Sequence, residues 1–135
     1  MVDEVYMGNT TNQRFIAECE KKGWWNNIIA GVADPARPDL IREWKDAGIT
    51  VNGADNKVEE GIEAVQNVLK PVMGNPKLHF SKRCVNLIKE FRSYAYSENG
   101  NIIKQNDHLL DTLRYFTMWK IKKSDVCAPT WVDSF

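Results

Sequence analysis

The chain has 135 residues, 43% of them hydrophobic and 27% charged. That is enough for one domain with a sizeable core, and it excludes a disordered chain. Its 18 basic and 18 acidic side chains cancel, so no global field draws it to nucleic acid or a membrane surface. The three cysteines, Cys19, Cys84 and Cys127, show no C-x-x-C spacing. They suit a reducing cytoplasm, not a disulfide framework or a structural zinc site. No apolar run approaches the roughly 20 residues of a membrane span, and Val2-Asp3-Glu4 is not a secretory leader.

In chain order, Val2–Met7 alternates apolar and charged residues, which predicts a half-buried strand. Thr10-Thr11-Asn12-Gln13 has the spacing of a capping box. Phe15, Ile16 and Cys19 give the following helix its inward face, and Gly23 its stop. Ile28–Ala33 is continuously apolar, as in a central parallel strand covered on both faces. It breaks at Asp34-Pro35, and Pro38 suits the first turn of a helix whose buried face is Leu40, Ile41, Trp44 and Ala47. Gly48 ends that helix, and Ile49–Asn52 reads as the next strand.

A longer helix follows from about Lys57 to Leu69, stopped by Pro71. Leu78-His79-Phe80 reads as a short strand, and Ser81 as the cap of a further helix. Val85, Leu87, Ile88 and Phe91 should face inward there, with Lys82, Arg83, Lys89 and Arg92 outward. Around Asn99-Gly100, residues 93–96 and 102–104 can pair as a hairpin. A last helix, capped by Asn106 or Asp107, carries the Leu109, Leu110, Leu113, Phe116 stripe and ends near Lys123. From Asp125 the chain reads as a tail. Alternating strands and helices predict an α/β fold with part of its sheet parallel, and function at the C-terminal strand ends.

Two places carry candidate chemistry. Asp34 follows the apolar strand directly. Its ordinary reading is an Asp-Pro turn; its functional one is a ligand for a hard divalent cation. On the last helix, His108, Asp111 and Tyr115 fall on one face, because residues three or four apart stack. Asp34 and Asp111 converge if that helix crosses the sheet end. Asp55 and Lys57 lie just beyond another strand end, His79 reads as structural, and Tyr94 and Tyr96 as packing residues. The basic helix face and the Lys120–Lys123 run are ordinary solvated surface unless a phosphodiester substrate is established. No phosphate loop, G-x-G-x-x-G or G-x-S-x-G motif is present.

The run Asn106-Asp107-His108-Leu109-Leu110-Asp111-Thr112-Leu113-Arg114-Tyr115 resembles the last acidic motif of the C-terminal nuclease domain of tailed-phage terminase large subunits. Thr112 stands where that motif usually has alanine. Ala33-Asp34-Pro35, with Asp39-Leu40-Ile41 and Ala47-Gly48-Ile49 after it, is similar to the middle acidic motif. The likeness spans roughly residues 2 to 120. It implies an RNase H-like fold, a mixed sheet flanked by helices, over residues 1–124, with 125–135 as a tail. It also implies hydrolysis of DNA phosphodiesters by Mg²⁺ or Mn²⁺ in a two-metal site.

By this resemblance Asp34 and Asp111 are metal ligands, Asp107 a further metal neighbour, and His108 a catalytic residue beside them. Double-stranded DNA, the terminase ATPase domain, the small subunit and the portal are the implied partners, with no membrane, in the bacterial host cytoplasm. The family's first acidic ligand, in a stretch resembling G-x-D-x-G, has no counterpart here, and neither do the family's first strands. The chain therefore reads as a truncated domain, whether prophage remnant, split gene or cut piece. Two readings stand: a divalent-metal-dependent endonuclease domain, and an inactive remnant that keeps the fold and weakly binds DNA or a partner. An exposed sheet edge also makes a homodimer an expectation.

Overall fold

The computed structural model describes residues 3–94, 100 and 107–126, with side chains described to residue 121. Among the described residues, five α-helices accompany a short parallel pair of strands. They are α1 (Asn12–Lys21), α2 (Pro38–Asp46), α3 (Val58–Leu69), α4 (Val85–Ser93) and α5 (His108–Val126). The strands are β1 (Gly31–Ala33) and β2 (Val51–Gly53), in register Gly31↔Val51, Val32↔Asn52 and Ala33↔Gly53. Among the described residues they are the whole sheet. None of the described helices is long and apolar enough to cross a membrane.

Local signals place most helix ends. The Thr11 hydroxyl accepts the Arg14 N–H at 3.3 Å and caps α1, so the cap lies one residue later than a Thr10–Gln13 box would put it. Pro38 opens α2. Gly23 and Gly48 close α1 and α2 with φ of 72° and 90°, a left-handed turn that glycine takes without strain. Asn12 then ties the first two helices together. It accepts the Trp44 indole N–H at 2.8 Å and donates to Glu43 at 2.9 Å. Trp44 also stacks on Phe15 and Trp25, each ring pair 5.5 Å apart.

The strands are shorter than expected. Residues 3–7 join no ladder; the Asp3 carboxylate instead pairs with Lys22 at 3.1 Å. The Ile28–Ala33 run is strand only over its last three residues, and Ile29 is 94% exposed, so it is not covered on both faces. A strand exists only where a neighbour supplies its hydrogen bonds, and β2 reaches only that far. Residues 78–80 form no strand. The Lys77 and Leu78 N–H groups both donate to the Val68 carbonyl and fold this segment back on α3. The expected hairpin around Asn99-Gly100 lies largely outside the described residues. α5 continues through Asp125 to Val126, into the stretch read as tail.

The core centres on Cys84, Leu87 and Leu109, with Phe80, Phe91 and Leu110 packed against them. Val85, expected inward, is half exposed, and Ala47 faces solvent. The reason at Val85 is the start of α4. Ser81 makes a turn, accepting the Arg83 N–H at 3.2 Å, and the helix begins only at Val85. Its orphan N–H groups go to Glu4, whose Oε1 accepts from the Asn86 backbone at 2.8 Å and Oε2 from Leu87 at 3.1 Å. Glu4 thus reaches from the N-terminal segment to cap a helix more than 80 positions away.

Candidate functional site

Asp34 stands directly after β1. Its Oδ1 accepts the Ala36 N–H at 2.9 Å, and its carbonyl accepts the Arg37 N–H at 3.2 Å. This is the Asp-Pro turn read from the sequence, and it orients the carboxylate at the C-terminal end of the strand. Pro35 rests against Gly53, 3.7 Å from where a β-carbon would stand, so the turn is seated on β2.

Asp111 lies in the first turn of α5, which packs against α3, α4 and β1. Its Oδ1 accepts from Arg114 at 2.7 Å. The Arg114 guanidinium, 5% exposed, also donates to the carbonyls of Asn56 and Lys57 at 3.1 and 3.2 Å. These carbonyls lead into α3, so one arginine fixes α5 against α3 and holds Asp111 at once. Asp34 and Asp111 share a pattern: each uses one oxygen to fix its position. The second oxygen of each takes no hydrogen bond within the described residues.

Tyr115 senses both carboxylates through its phenol. Burial raises its phenol above the ordinary value, and the negative charges of Asp111 and then Asp34 raise it further. Both aspartates therefore act on the same ring, from different elements. The Arg114 guanidinium, 5.0 Å from the ring centroid, works in the opposite direction.

The other members of the motif sit apart. Asp107 precedes α5, and its carbonyl accepts the Asp111 N–H at 2.8 Å. His108 is exposed. The charges of both act on Glu90. Asn106 lies outside the described residues; among those described, no hydrogen bond to the Asp107 side chain caps α5, and Glu90 on α4 does that work. Its Oε2 accepts the Leu109 and Leu110 N–H groups at 2.8 and 3.0 Å. Lys57 turns to Glu60 at 2.9 Å, and Asp55 accepts the Lys57 N–H at 3.2 Å. Lys82, Arg83, Lys89 and Arg92 are exposed, as read.

Among the described residues no three Asp, Glu, His or Cys side chains gather as a metal cage. What the site offers is two carboxylates with a spare oxygen each, hard donors of the kind Mg²⁺ and Mn²⁺ prefer. The donor set fits a divalent ion that keeps much of its water. Next to the site lies an apolar recess of about 630 Å³, lined by residues including Trp24, Ile28, Val32, Leu78, Leu113 and Phe116.

Sequence reading did not single out Arg114, Gly61, Glu4 or Glu90. Asp111 and Arg114 stand at the three-residue spacing of a helical ion pair, and Glu90 stands three after the buried Leu87, so two of them had a visible signal. Glu4 and Gly61 had none, since their partners are far away in the chain.

Similarity to known proteins follows the same lines. The chain is 32% identical over 93 residues to the terminase large subunit of Enterobacteria phage LP7, covering 64% of this chain and 19% of that protein. It is 33% identical over 88 residues to the terminase large subunit of Salmonella phage P22, covering 60% and 17%. It thus spans about a fifth of the length of the curated relatives it matches. The large terminase of a thermophilic bacteriophage, solved in complex with ATP-gamma-S, superposes with a TM-score of 0.67 at 28% identity, over 80% of this chain and 28% of that one. The large terminase nuclease domain of bacteriophage SPP1, solved with bound Mn, superposes at 0.63 with 19% identity, over 90% and 69%, a likeness of fold. No family model matches the chain.

Proposed function

We propose that this chain, a relative of the terminase large subunits with the fold of their nuclease domain, contributes divalent-metal-dependent endonucleolytic cleavage of DNA to phage DNA packaging. The observation that carries the reading is that α5, which opens with Asp111, packs against β1, which Asp34 follows directly, and that the charges of both carboxylates act on Tyr115. Asp34 and Asp111 would hold Mg²⁺ or Mn²⁺, with Asp107 just before α5 and His108 at its start. Such ions, when bound, supply activation of water and stabilisation of the leaving oxygen in an in-line phosphodiester hydrolysis. The chain's own part is to hold the two carboxylates rigid, through Ala36 for Asp34 and Arg114 for Asp111. Double-stranded DNA is the substrate, in the cytoplasm of the bacterial host, and the ATPase domain, small subunit and portal are the partners this role calls for.

Since two carboxylates bind a divalent ion more weakly than three, metal affinity should be low. The lack of a third carboxylate among the described residues also favours a second reading, a module that keeps the fold and binds DNA or a partner without cutting. Plasmid nicking in Mn²⁺ separates them. The parent should nick, and Asp34→Ala and Asp111→Ala should each lose nicking. No nicking by the parent, or equal nicking by all three, removes the cleavage reading and leaves the module.

A further inference from the structure

The acidic side chains that bring the chain to zero net charge are not spread evenly. Residues 64–89 carry Lys70, Lys77, Lys82, Arg83 and Lys89, and all 18 acidic residues lie outside them. α3 shows the division within one helix: Glu59, Glu60 and Glu63 stand in its first half, and no carboxylate in its second. Beyond it the chain turns through a closed loop. The Val68 carbonyl accepts the Lys77 N–H at 2.8 Å and the Leu78 N–H at 3.2 Å, which pins the ends of the loop together with Lys70 and Lys77 at its neck. Gly74, at φ 86°, turns the tip. On that tip Val72 is 96% and Met73 87% exposed. α3 rises about 18 Å over its 12 residues. The loop therefore lies a helix length away from the Lys57 carbonyl that Arg114 takes, outside the carboxylate site.

Single exposed hydrophobics are ordinary on a protein surface. Two adjacent ones on the tip of a loop held shut by its own backbone, with cations at the neck and no carboxylate in the segment, are a different arrangement. We propose that this loop is a contact for double-stranded DNA, with Lys70 and Lys77 on backbone phosphates and Val72 and Met73 as an apolar wedge in the minor groove. Lysine suits the first part, because a phosphate contact needs a point charge and tolerates a flexible stem. The tip suits the second, because aliphatic side chains can enter a base step and replace part of the lost stacking. Lys82 and Arg83, exposed just after the loop, add to its positive field although the chain as a whole is neutral. Arg83 also meets the charge of Asp3, which Lys22 already pairs. The choice of DNA over another polyanion rests on the cleavage reading; the contact itself needs neither metal nor turnover.

The test is fluorescence anisotropy of the full chain with a labelled duplex about two helical turns long, in EDTA so that binding is read without cutting. The parent should bind the duplex, and bind it better than either single strand. Lys70→Gln with Lys77→Gln should weaken binding and lower the slope of log affinity against log salt by about 2. Val72→Ser with Met73→Ser should weaken it about tenfold at an unchanged salt slope, and reduce the bend read by energy transfer between the duplex ends. All four side chains are exposed, so the circular dichroism should stay that of the parent. Arg14→Gln with Arg42→Gln removes the same charge from exposed positions on α1 and α2; an equal loss there overturns the loop as the contact. So does a parent that binds no duplex, or binding indifferent to both loop pairs. Single-strand binding as tight as duplex binding, or a bend unchanged without Val72 and Met73, overturns the wedge. Self-association that needs Val72 and Met73, with duplex binding that does not, overturns the occupant, since a second copy then covers the tip. Plasmid nicking is read apart: a parent that binds through the loop and does not nick loses the cleavage reading and keeps this one.

Discussion

Arg114 passes through the space that a side chain on Gly61 would need. A β-carbon built on Gly61 runs into Cγ and Cδ of Arg114, the stem of the guanidinium that holds Asp111 and the carbonyls of Asn56 and Lys57. Gly61 lies inside α3, where alanine would ordinarily be better by about 1 kcal/mol. The helix accepts glycine there because α5 must come close enough for the arginine to cross.

Gly61→Ala should therefore destabilise the fold despite its better helix propensity, by about 1–3 kcal/mol, the range for overpacking a filled site. Urea denaturation measures it. The decisive comparison is a double-mutant cycle: in an Arg114→Ala background the stem is gone, and Gly61→Ala should become neutral or stabilising. Equal costs in both backgrounds would show that Arg114 is not the obstacle.

Tyr115 gives a direct reading of the candidate site that does not depend on turnover. Its phenol is raised first by burial and then by Asp111 and Asp34. Asp34→Asn and Asp111→Asn should each bring it back towards its ordinary value of 10.0, with the larger step from Asp111. Mg²⁺ or Mn²⁺ binding between them should lower it in the same direction, because a cation replaces net negative charge near the ring. Phenolate absorbance of the parent, followed against a Tyr115→Phe difference, reports all three. A Tyr115 titration indifferent to Asp34→Asn would mean that the strand-end carboxylate does not share the site.

What the sequence showed and what it hid divide along chain distance. Pro38, Gly23 and Gly48 act on backbone within a few residues, so the start of α2 and the stops of α1 and α2 were legible, and the α1 cap was legible to within one residue. The same holds for the Asp34 turn and for Asp111 beside a leucine stripe. Strand lengths were not legible, since an apolar run such as Ile28–Ala33 is strand only where a neighbour meets it, and Ile29 shows the rest is open. Nor were the supports of the site. Glu4 and Glu90 are acidic residues in stretches that read as strand and helix, and only the folded chain shows that each caps the start of a later helix. The candidate carboxylates were readable; the groups that hold α4 and α5 in place were not.

Glu90 leads to a pH dependence with a definite sign. Its carboxyl is 5% exposed, one oxygen caps α5, and the other, Oε1, is buried without a partner. Burial pushes it above its ordinary 4.5, while the N–H groups of Leu110 and Leu109 and the nearby His108 pull it down. The folded state thus holds this proton more tightly than the unfolded chain does. The contribution of Glu90 to stability is complete below about 4.5, the unfolded value, and is lost as pH rises through the raised folded value. Glu90→Gln cannot lose a proton, and its carbonyl oxygen can still accept from α5. It should cost stability at low pH, on the order of 1–3 kcal/mol for an amide donor left where Oε1 has no partner. Across the window that opens at 4.5 the deficit should then shrink as pH rises. Denaturant midpoints of parent and variant, measured at matched pH from acid to neutral, decide it: curves that stay parallel would mean that Glu90 keeps one protonation state throughout. Glu4→Gln serves as the control, because it alters the α4 cap while leaving the start of α5 and its aspartate untouched.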